Sequence, residues 1–210
     1  MLLALASLAL ACDDAVFRAL AAPSVPDAGK RVVTGDATMT GEAMIGARFV
    51  MRSDVPIEAW RSALSNPERQ DDWMPDRFGY DRVEAVDASH MYLQVNVGFL
   101  FGAVKLRRQL VAEVASATEG ARFVTCWRQV DPAPYTARLT AWPSDAEWQQ
   151  ESAGWWSVEP LPGGGTVVGH QWWTRAAGLP AAIVKYGASQ TLPDLIDAFE
   201  ARARLLADGG

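Results

Sequence analysis

The sequence predicts an α+β domain: an antiparallel sheet, two short helices after the early strands, and a long C-terminal helix. Three observations predict it. From about residue 79 to 175, strand-like segments follow one another with Gly-, Asp- and Ser-containing turns and no helical period between them. Ahead of them, "SDVPIEAWRSALSNPERQDDWM" (53–74) switches to helical spacing. The chain then closes with "LPAAIVKYGASQTLPDLIDAFEARARLL", where Val184, Ala188, Leu192, Leu195, Phe199 and Leu206 fall near one helical face.

In chain order, the first twelve residues, "MLLALASLALAC", form an apolar run. It is too short to span a bilayer, which takes roughly 20 residues, and has the length of the apolar core of an export signal. It resembles a bacterial lipoprotein signal, which implies lipidation at Cys12 and a periplasmic or membrane-anchored mature protein. No Lys or Arg follows Met1, and a Leu stands one position closer to the Cys than that pattern has it. The alternative is a buried N-terminal helix with Cys12 as a small core residue, in a cytoplasmic protein. With export, Cys126 is expected to be a buried thiol in a strand. Residues 13–29, rich in Ala, Pro and Asp, read as a tether, and the folded domain is expected over 30–206.

"RVVTG" and "AMIGARFVMR" (43–52) are the early strands. Ser53 or Asp54 then serves as N-cap and Pro56 occupies the first turn, with Ile57, Trp60 and Leu64 on one face. Asn66-Pro67 starts the second short helix, ending near Trp73 and Met74. Strands are expected over about 79–87, 90–97, 103–115, 121–130, 154–161 and 166–175. In the terminal helix Pro193 removes one backbone hydrogen bond and is expected to kink it. Gly187, Ala188 and Ser189 leave room beside that kink for something bulky.

Three stretches carry a resemblance to a known family. "VPIEAWRSALSNPERQDDWMP", "GWWSVEPLPGGGTVVGHQWW" and "GLPAAIVKYGASQTLPDLIDAFEARAR" resemble the helix segment, last hairpin and terminal helix of the START-like, or helix-grip (SRPBCC), superfamily. That resemblance implies a curved sheet wrapped around the terminal helix, with a deep apolar cavity between them that holds a hydrophobic small molecule or lipid. No cofactor is implied. The cavity positions it implies are Trp73, Leu93 and Val95, Arg108, Trp127, Trp156 and Trp172, with Ala188, Leu192 and Leu195 on the helix.

"NVGFLFGAVK" (96–105) poses a separate question, because hairpin tips are usually polar and this one carries Phe99, Leu100 and Phe101 between two glycines. The resemblance places this loop at the cavity mouth, where Phe99 and Phe101 would act as a gate that meets a membrane surface when open. The alternative is that the tip folds inward as core. Lipid-transfer members carry an Arg-Asp pair beyond this loop, and this chain has Val104 and Lys105.

Strand alternation puts Arg108 on the apolar face of "KLRRQLVAEV" with Leu106, Leu110, Ala112 and Val114. A charge there needs a partner, either an internal carboxylate or a ligand head group. With a loop centred on Gly164, Trp156 would face Trp172 and Trp155 would face Trp173, one aromatic pair on each side of the sheet. The outer pair is then covered by the long connection 131–153 with its Tyr135, Trp142 and Trp148, or forms a membrane or partner surface.

Composition excludes several functions. A net charge of −6 with no Lys/Arg run supplies no footprint for nucleic acid. The two histidines, His90 and His170, have no metal-ligand spacing, no Gly-x-Ser-x-Gly elbow is present, and "PGGGT" lacks the Lys of a phosphate loop. Glu159 and Asp194 have no visible acid–base partner in the sequence. His170, beside Trp172, is either a general base of a cyclase-like or small hydrolase-like enzyme or a satisfied structural histidine. The primary expectation is therefore carriage of a hydrophobic molecule without catalysis.

Overall fold

The structure, a computed structural model, describes residues 30–39, 42–65, 70, 72–74, 80–99, 104–142, 144–149, 151–175 and 180–209. The N-terminal signal, Cys12 and the tether expected from the sequence lie outside these residues, as do Leu100 and Phe101 of the hairpin tip.

The strands are β1 (Lys30–Met39), β2 (Glu42–Ser53), β3 (Tyr80–Ala85), β4 (His90–Phe99), β5 (Val104–Glu119), β6 (Arg122–Val130), β7 (Glu147–Trp148), β8 (Ser152–Pro160) and β9 (Thr166–Thr174). The helices are α1 (Ile57–Ser65), α2 (Thr136–Leu139, after a 3-10 turn) and α3 (Ala181–Ala207). One curved sheet holds every described strand in the order β1-β2-β9-β8-β6-β5-β4-β3, with the two-residue β7 lying parallel beside β5. The meander pairs consecutively, as the turn chemistry predicts. Its last strand returns to β2, so the early hairpin is joined to the end of the chain.

The inner face is built by alternation. Phe49 and Met51 of β2, Val168 of β9, Trp156 and Val158 of β8 and Phe123 of β6 point to one side, where α1 and α3 pack on them. On α3 the buried residues are Val184, Gly187, Ala188, Leu192, Ile196, Phe199 and Ala203, a stripe at helical spacing. Leu195 and Leu206 lie at its margin, half-buried. Each of Leu192, Ile196 and Phe199 contributes about 1.5–3 kcal/mol by leaving water. Pro193 lies inside a continuous helix and does not end it. The helix is also held at its edges: Lys185 pairs with Asp36 at 2.5 Å, Lys30 with Asp197, and Arg204 with Asp54. Ser53 Oγ donates to Glu200 Oε1 at 2.8 Å and accepts from Val55 N–H at 3.2 Å, linking the end of β2 to both α3 and the approach to α1.

The helix expected to start at Asn66-Pro67 falls largely outside the described residues. Its far end is one turn, in which Met74 N–H donates to Gln70 O at 2.9 Å.

Two expectations for the last hairpin are corrected. Its register is Pro160 opposite Thr166, so Trp156 faces His170 and Trp155 faces Gln171, while Trp172 faces Gly154 and Trp173 faces Ala153. The cause is the turn. Gly163, Gly164 and Gly165 all take positive φ, and Leu161 N–H donates to Gly165 O at 2.9 Å, which centres the loop on Gly163. The shift is two residues, so each Trp keeps its expected face.

The second correction concerns the outer face. The connection 131–148 packs elsewhere: Tyr135, Leu139 and Trp142 lie against Val86, Tyr92 and Val111, with Trp142 stacked on Tyr92 at 5.6 Å. Trp148 is 42% exposed. The outer pair is neither covered by this connection nor an exposed surface. Trp155 and Trp173 are buried among Met44, Val124, Cys126 and Ala153. Gly46 admits the Trp173 ring, which would meet a Cβ there at 2.2 Å. Arg48 lies over Trp155 at 5.5 Å, and its burial, then the nearby Arg122, lower its pKa. Cys126 is buried in β6 but is disulfide-bonded, which corrects the expected free thiol.

Candidate functional site: the inner face of the sheet

Three rows of side chains cross the inner face. The row nearest Ser53 is Met51, Val168, Val158 and Phe123, buried beneath α1 and the C-terminal half of α3. The next runs Phe49, His170, Trp156 and Thr125. The third runs Ala47, Trp172, Gly154, Trp127 and Val114.

Burial divides these rows. Phe49, His170 and Trp156 are closed in, whereas Trp172, Trp127 and Val114, with Leu93 and Val95 of β4, keep partial exposure on the same apolar face. Large apolar side chains that face a helix and still touch solvent border a space the helix does not fill. Such a hollow would be floored by Trp172, Gly154 and Trp127 and walled by Leu93 and Val95, on the face where α3 packs with Val184 and Ala188 buried.

An aromatic chain backs the hollow. Trp73 meets Phe199 edge-on at 5.0 Å, Phe199 meets Trp156 at 4.7 Å, and Trp156 stacks on His170 at 4.1 Å and 30°. His170 Nδ1 lies 3.0 Å from the Trp155 carbonyl oxygen, which can only accept, so the proton is on Nδ1 and Nε2 carries the lone pair. Burial lowers the imidazole pKa to about 4, and the hydrogen bond to Trp155 offsets this only in part. The ring is neutral at ordinary pH.

Sequence-predicted positions distribute as follows. Trp156 and Trp172 share the inner face with Trp127, Leu93 and Val95, and Ala188 and Leu192 are buried on the inner side of α3. Trp73 and Leu195 pack at the margin of the core. Arg108 sits on the inner face opposite Val95, as alternation requires, and is ion-paired to Glu147 of β7. The two-residue β7 occupies the edge of β5 below the end of β6, which is what brings Glu147 there. The backbone of Phe99 pairs with Val104 at the last described rung of the β4–β5 hairpin. The Phe99 side chain and Phe101 lie outside the described residues.

Among acid–base candidates, Glu159 pairs with Arg122 at 3.1 Å. His90 is bound to Asp87 at 2.9 Å, on the side of the sheet away from His170. Among the described residues no cluster of metal-ligating side chains occurs.

Two residues were not foreseen. Ile196 is fully buried beside Phe199. Gly154 lets Trp127 lie flat across β8, where a Cβ would stand 2.7 Å from the indole Nε1. A glycine inside an otherwise aromatic strand, "AGWWS", is the signal that could have found it. Gly154→Ala is therefore expected to push Trp127 into the hollow. Apolar dye bound there should weaken several-fold in a fluorescence titration, with a stability cost within about 1–3 kcal/mol. Unchanged dye affinity would put the ligand elsewhere.

Comparison with solved structures decides the fold. A STAR-related lipid transfer protein fragment from Xanthomonas axonopodis superposes with TM-score 0.59 at 14% identity, over 82% of this chain and 93% of that one. The chain has the START-like, helix-grip fold. Human STARD10 superposes at 0.55 with 13% identity, over 82% of this chain and 69% of that one. TTHA0849 from Thermus thermophilus gives 0.52 at 14% identity, over 76% and 97%. No protein-family model and no curated protein matches the sequence. The START-like fold puts Trp127, Trp172, Leu93 and Val95 on the face of the sheet that curls around the terminal helix.

Proposed function

We propose that this START-like domain binds one hydrophobic small molecule in the hollow between α3 and the inner face of β4–β9, and carries it. The observation that supports the reading is the half-buried band of Leu93, Val95, Val114, Trp127 and Trp172 beside the closed row of Phe49, His170 and Trp156 on the same face. Ligand binding by desolvation is worth about 25 cal/mol per Å² of apolar surface, and aromatic walls supply that surface without charge. Loading would pass the hairpin tip, with Phe99 and Phe101 as gate and a membrane as the source.

A second reading, a cyclase-like or small hydrolase-like enzyme, rests on the perturbed pKa of His170. The direction of that perturbation weakens it. An imidazole with a pKa of about 4 takes up a proton poorly at neutral pH, and its Nδ1 is held by a backbone carbonyl, not by a carboxylate.

We propose in addition that the protein is exported from the cytoplasm. The apolar run 1–12 and the disulfide at Cys126 both support an exported chain. The chain has two cysteines, so lipidation of Cys12 and a disulfide between the two exclude one another in a single molecule.

Native mass spectrometry of the full chain purified from its own membranes or periplasm tests the whole reading. A stoichiometric apolar adduct is expected, and the same spectrum tells a lipidated Cys12 from an oxidised cysteine pair by mass. An empty protein that also takes up no fluorescent lipid from vesicles would remove the carrier and favour the enzyme. If the gate operates, Phe99→Ser with Phe101→Ser slows vesicle exchange several-fold; equal rates would dismiss it.

A further inference from the structure

The outer face of β2, β9, β8 and β6 is buried although the described helices pack elsewhere. Met44, Val124, Cys126, Ala153, Trp155 and Trp173 form a closed cluster made of strand residues alone. The helices α1 and α3 lie on the opposite face, and α2 brings Leu139 to Val86, Tyr92 and Val111. Gly46 closes one side of the Trp173 ring, yet the whole side chain is 0% exposed, so its other side is covered as well.

The polar atoms of that face indicate what kind of cover fits. Both Nε2 and Oε1 of Gln171, and the indole Nε1 of Trp155 and of Trp173, are buried with no hydrogen-bond partner among the described residues. A polypeptide satisfies such atoms, because it brings both N–H and C=O groups, whereas an acyl chain brings neither. Two guanidiniums share the face: Arg48 lies 5.5 Å over Trp155, and Arg122, paired to Glu159, lies 6.0 Å over it. Their charge favours a cover that carries carboxylates.

Cys126 belongs to this cluster, opposite Trp155, and is disulfide-bonded. The sequence holds one other cysteine, Cys12. We propose that the outer face is the docking surface of the chain's own N-terminal segment, residues 12–29, fastened by a bond between Cys12 and Cys126. Asp13 and Asp14 then enter beside Trp155, Arg48 and Arg122, and Val16, Phe17 and Leu20 supply the apolar cover. The length suffices. The strand of Cys126 stands four places from β1, and its row meets β1 at Val33, so Lys30 lies roughly 22 Å away at about 4.8 Å per strand and 3.4 Å per residue. The 18 peptide steps from Cys12 to Lys30 cover about 27 Å as a helix and up to about 60 Å extended. The bond forms by exchange with an external disulfide: two protons and two electrons leave the cysteine thiols and reduce that disulfide to two thiols. For that oxidant the proposal rests on the export reading, and it is separate from the carrier reading.

The full chain, oxidised with glutathione disulfide and digested without reduction, is mapped by mass spectrometry, while hydroxyl-radical labelling reads its tryptophans. A link between Cys12 and Cys126 is expected, with Trp155 and Trp173 labelled several-fold more slowly than the exposed Trp148. Phe17→Asp with Leu20→Asp should raise the rates at Trp155 and Trp173 several-fold and leave Trp156, on the inner face, unchanged. Cys126 recovered as a free or glutathione-capped thiol, or joined to a second copy of the chain, would overturn the assignment, as would unchanged rates at Trp155 and Trp173 in the variant. If the variant does not fold, the unmodified chain decides, because labelling of Trp155 and Trp173 as fast as Trp148 is equally fatal. A link made by added glutathione disulfide holds whether or not the chain is exported, and export itself is read from the thiol state of the chain taken from its own cells.

Discussion

Trp156→Ala lowers the unfolding free energy by about 3–5 kcal/mol, the range for removing a buried aromatic side chain whose surroundings cannot close over the gap. Trp156 is 6% exposed and stands at the middle of the aromatic chain, against Phe199 on one side and His170 on the other. Phe199 belongs to α3, and His170 and Trp156 are opposite one another on β9 and β8, so one truncation loosens the helix and the sheet together. Urea unfolding followed by circular dichroism measures it, with Trp148→Ala as control. Trp148 is 42% exposed, and its loss should fall within about 0.5 kcal/mol. Equal effects at the two positions would mean that α3 does not rest on Trp156.

The second large effect is acid lability through His170. Its folded pKa is about 4 against an ordinary 6.5. As pH falls, the unfolded chain takes up the proton first, so stability is complete above pH 6.5 and is lost progressively down to pH 4. At roughly 1.4 kcal/mol per pH unit the loss is about 3 kcal/mol. His170→Phe or His170→Gln removes this term. The difference in unfolding free energy between unmodified protein and variant should therefore shrink by about that amount between neutral pH and pH 4. Parallel pH profiles would show that the buried ring does not control the transition. This measurement needs no ligand and is independent of the carrier reading.

Much of the site was legible because its chemistry is written in alternation. Parity put Arg108 on the apolar face and Trp156 on the same side as Trp172, the START-like resemblance added which side is inner, and parity survived where the register was wrong, since the error was two residues. Helical spacing likewise gave Val184, Ala188, Leu192 and Phe199, while Ile196 was missed because Leu195 competes with it for the same stripe. The partner of Arg108 was not legible. Glu147 is 39 residues away and reaches it only because β7 fills the edge of β5 that β6 leaves open. The cover of the outer face was misassigned for a similar reason: Trp142 finds Tyr92, on the half of the sheet away from Trp155 and Trp173.

Legible in the local sequence were the succession of the long strands and the terminal helix, the buried stripe of that helix, and the START-like character of the whole, but not the short helix and strand within 131–148. These are local properties, carried by the period of the side chains and the residues at the turns. Tertiary structure alone decided that β9 closes on β2, that three positive-φ glycines set the last hairpin so that His170 stacks on Trp156, and that β7 neutralises Arg108. Each of those depends on which distant strands meet and in what register. That choice is set by turn geometry and by the space left between packed elements, neither of which any local period encodes.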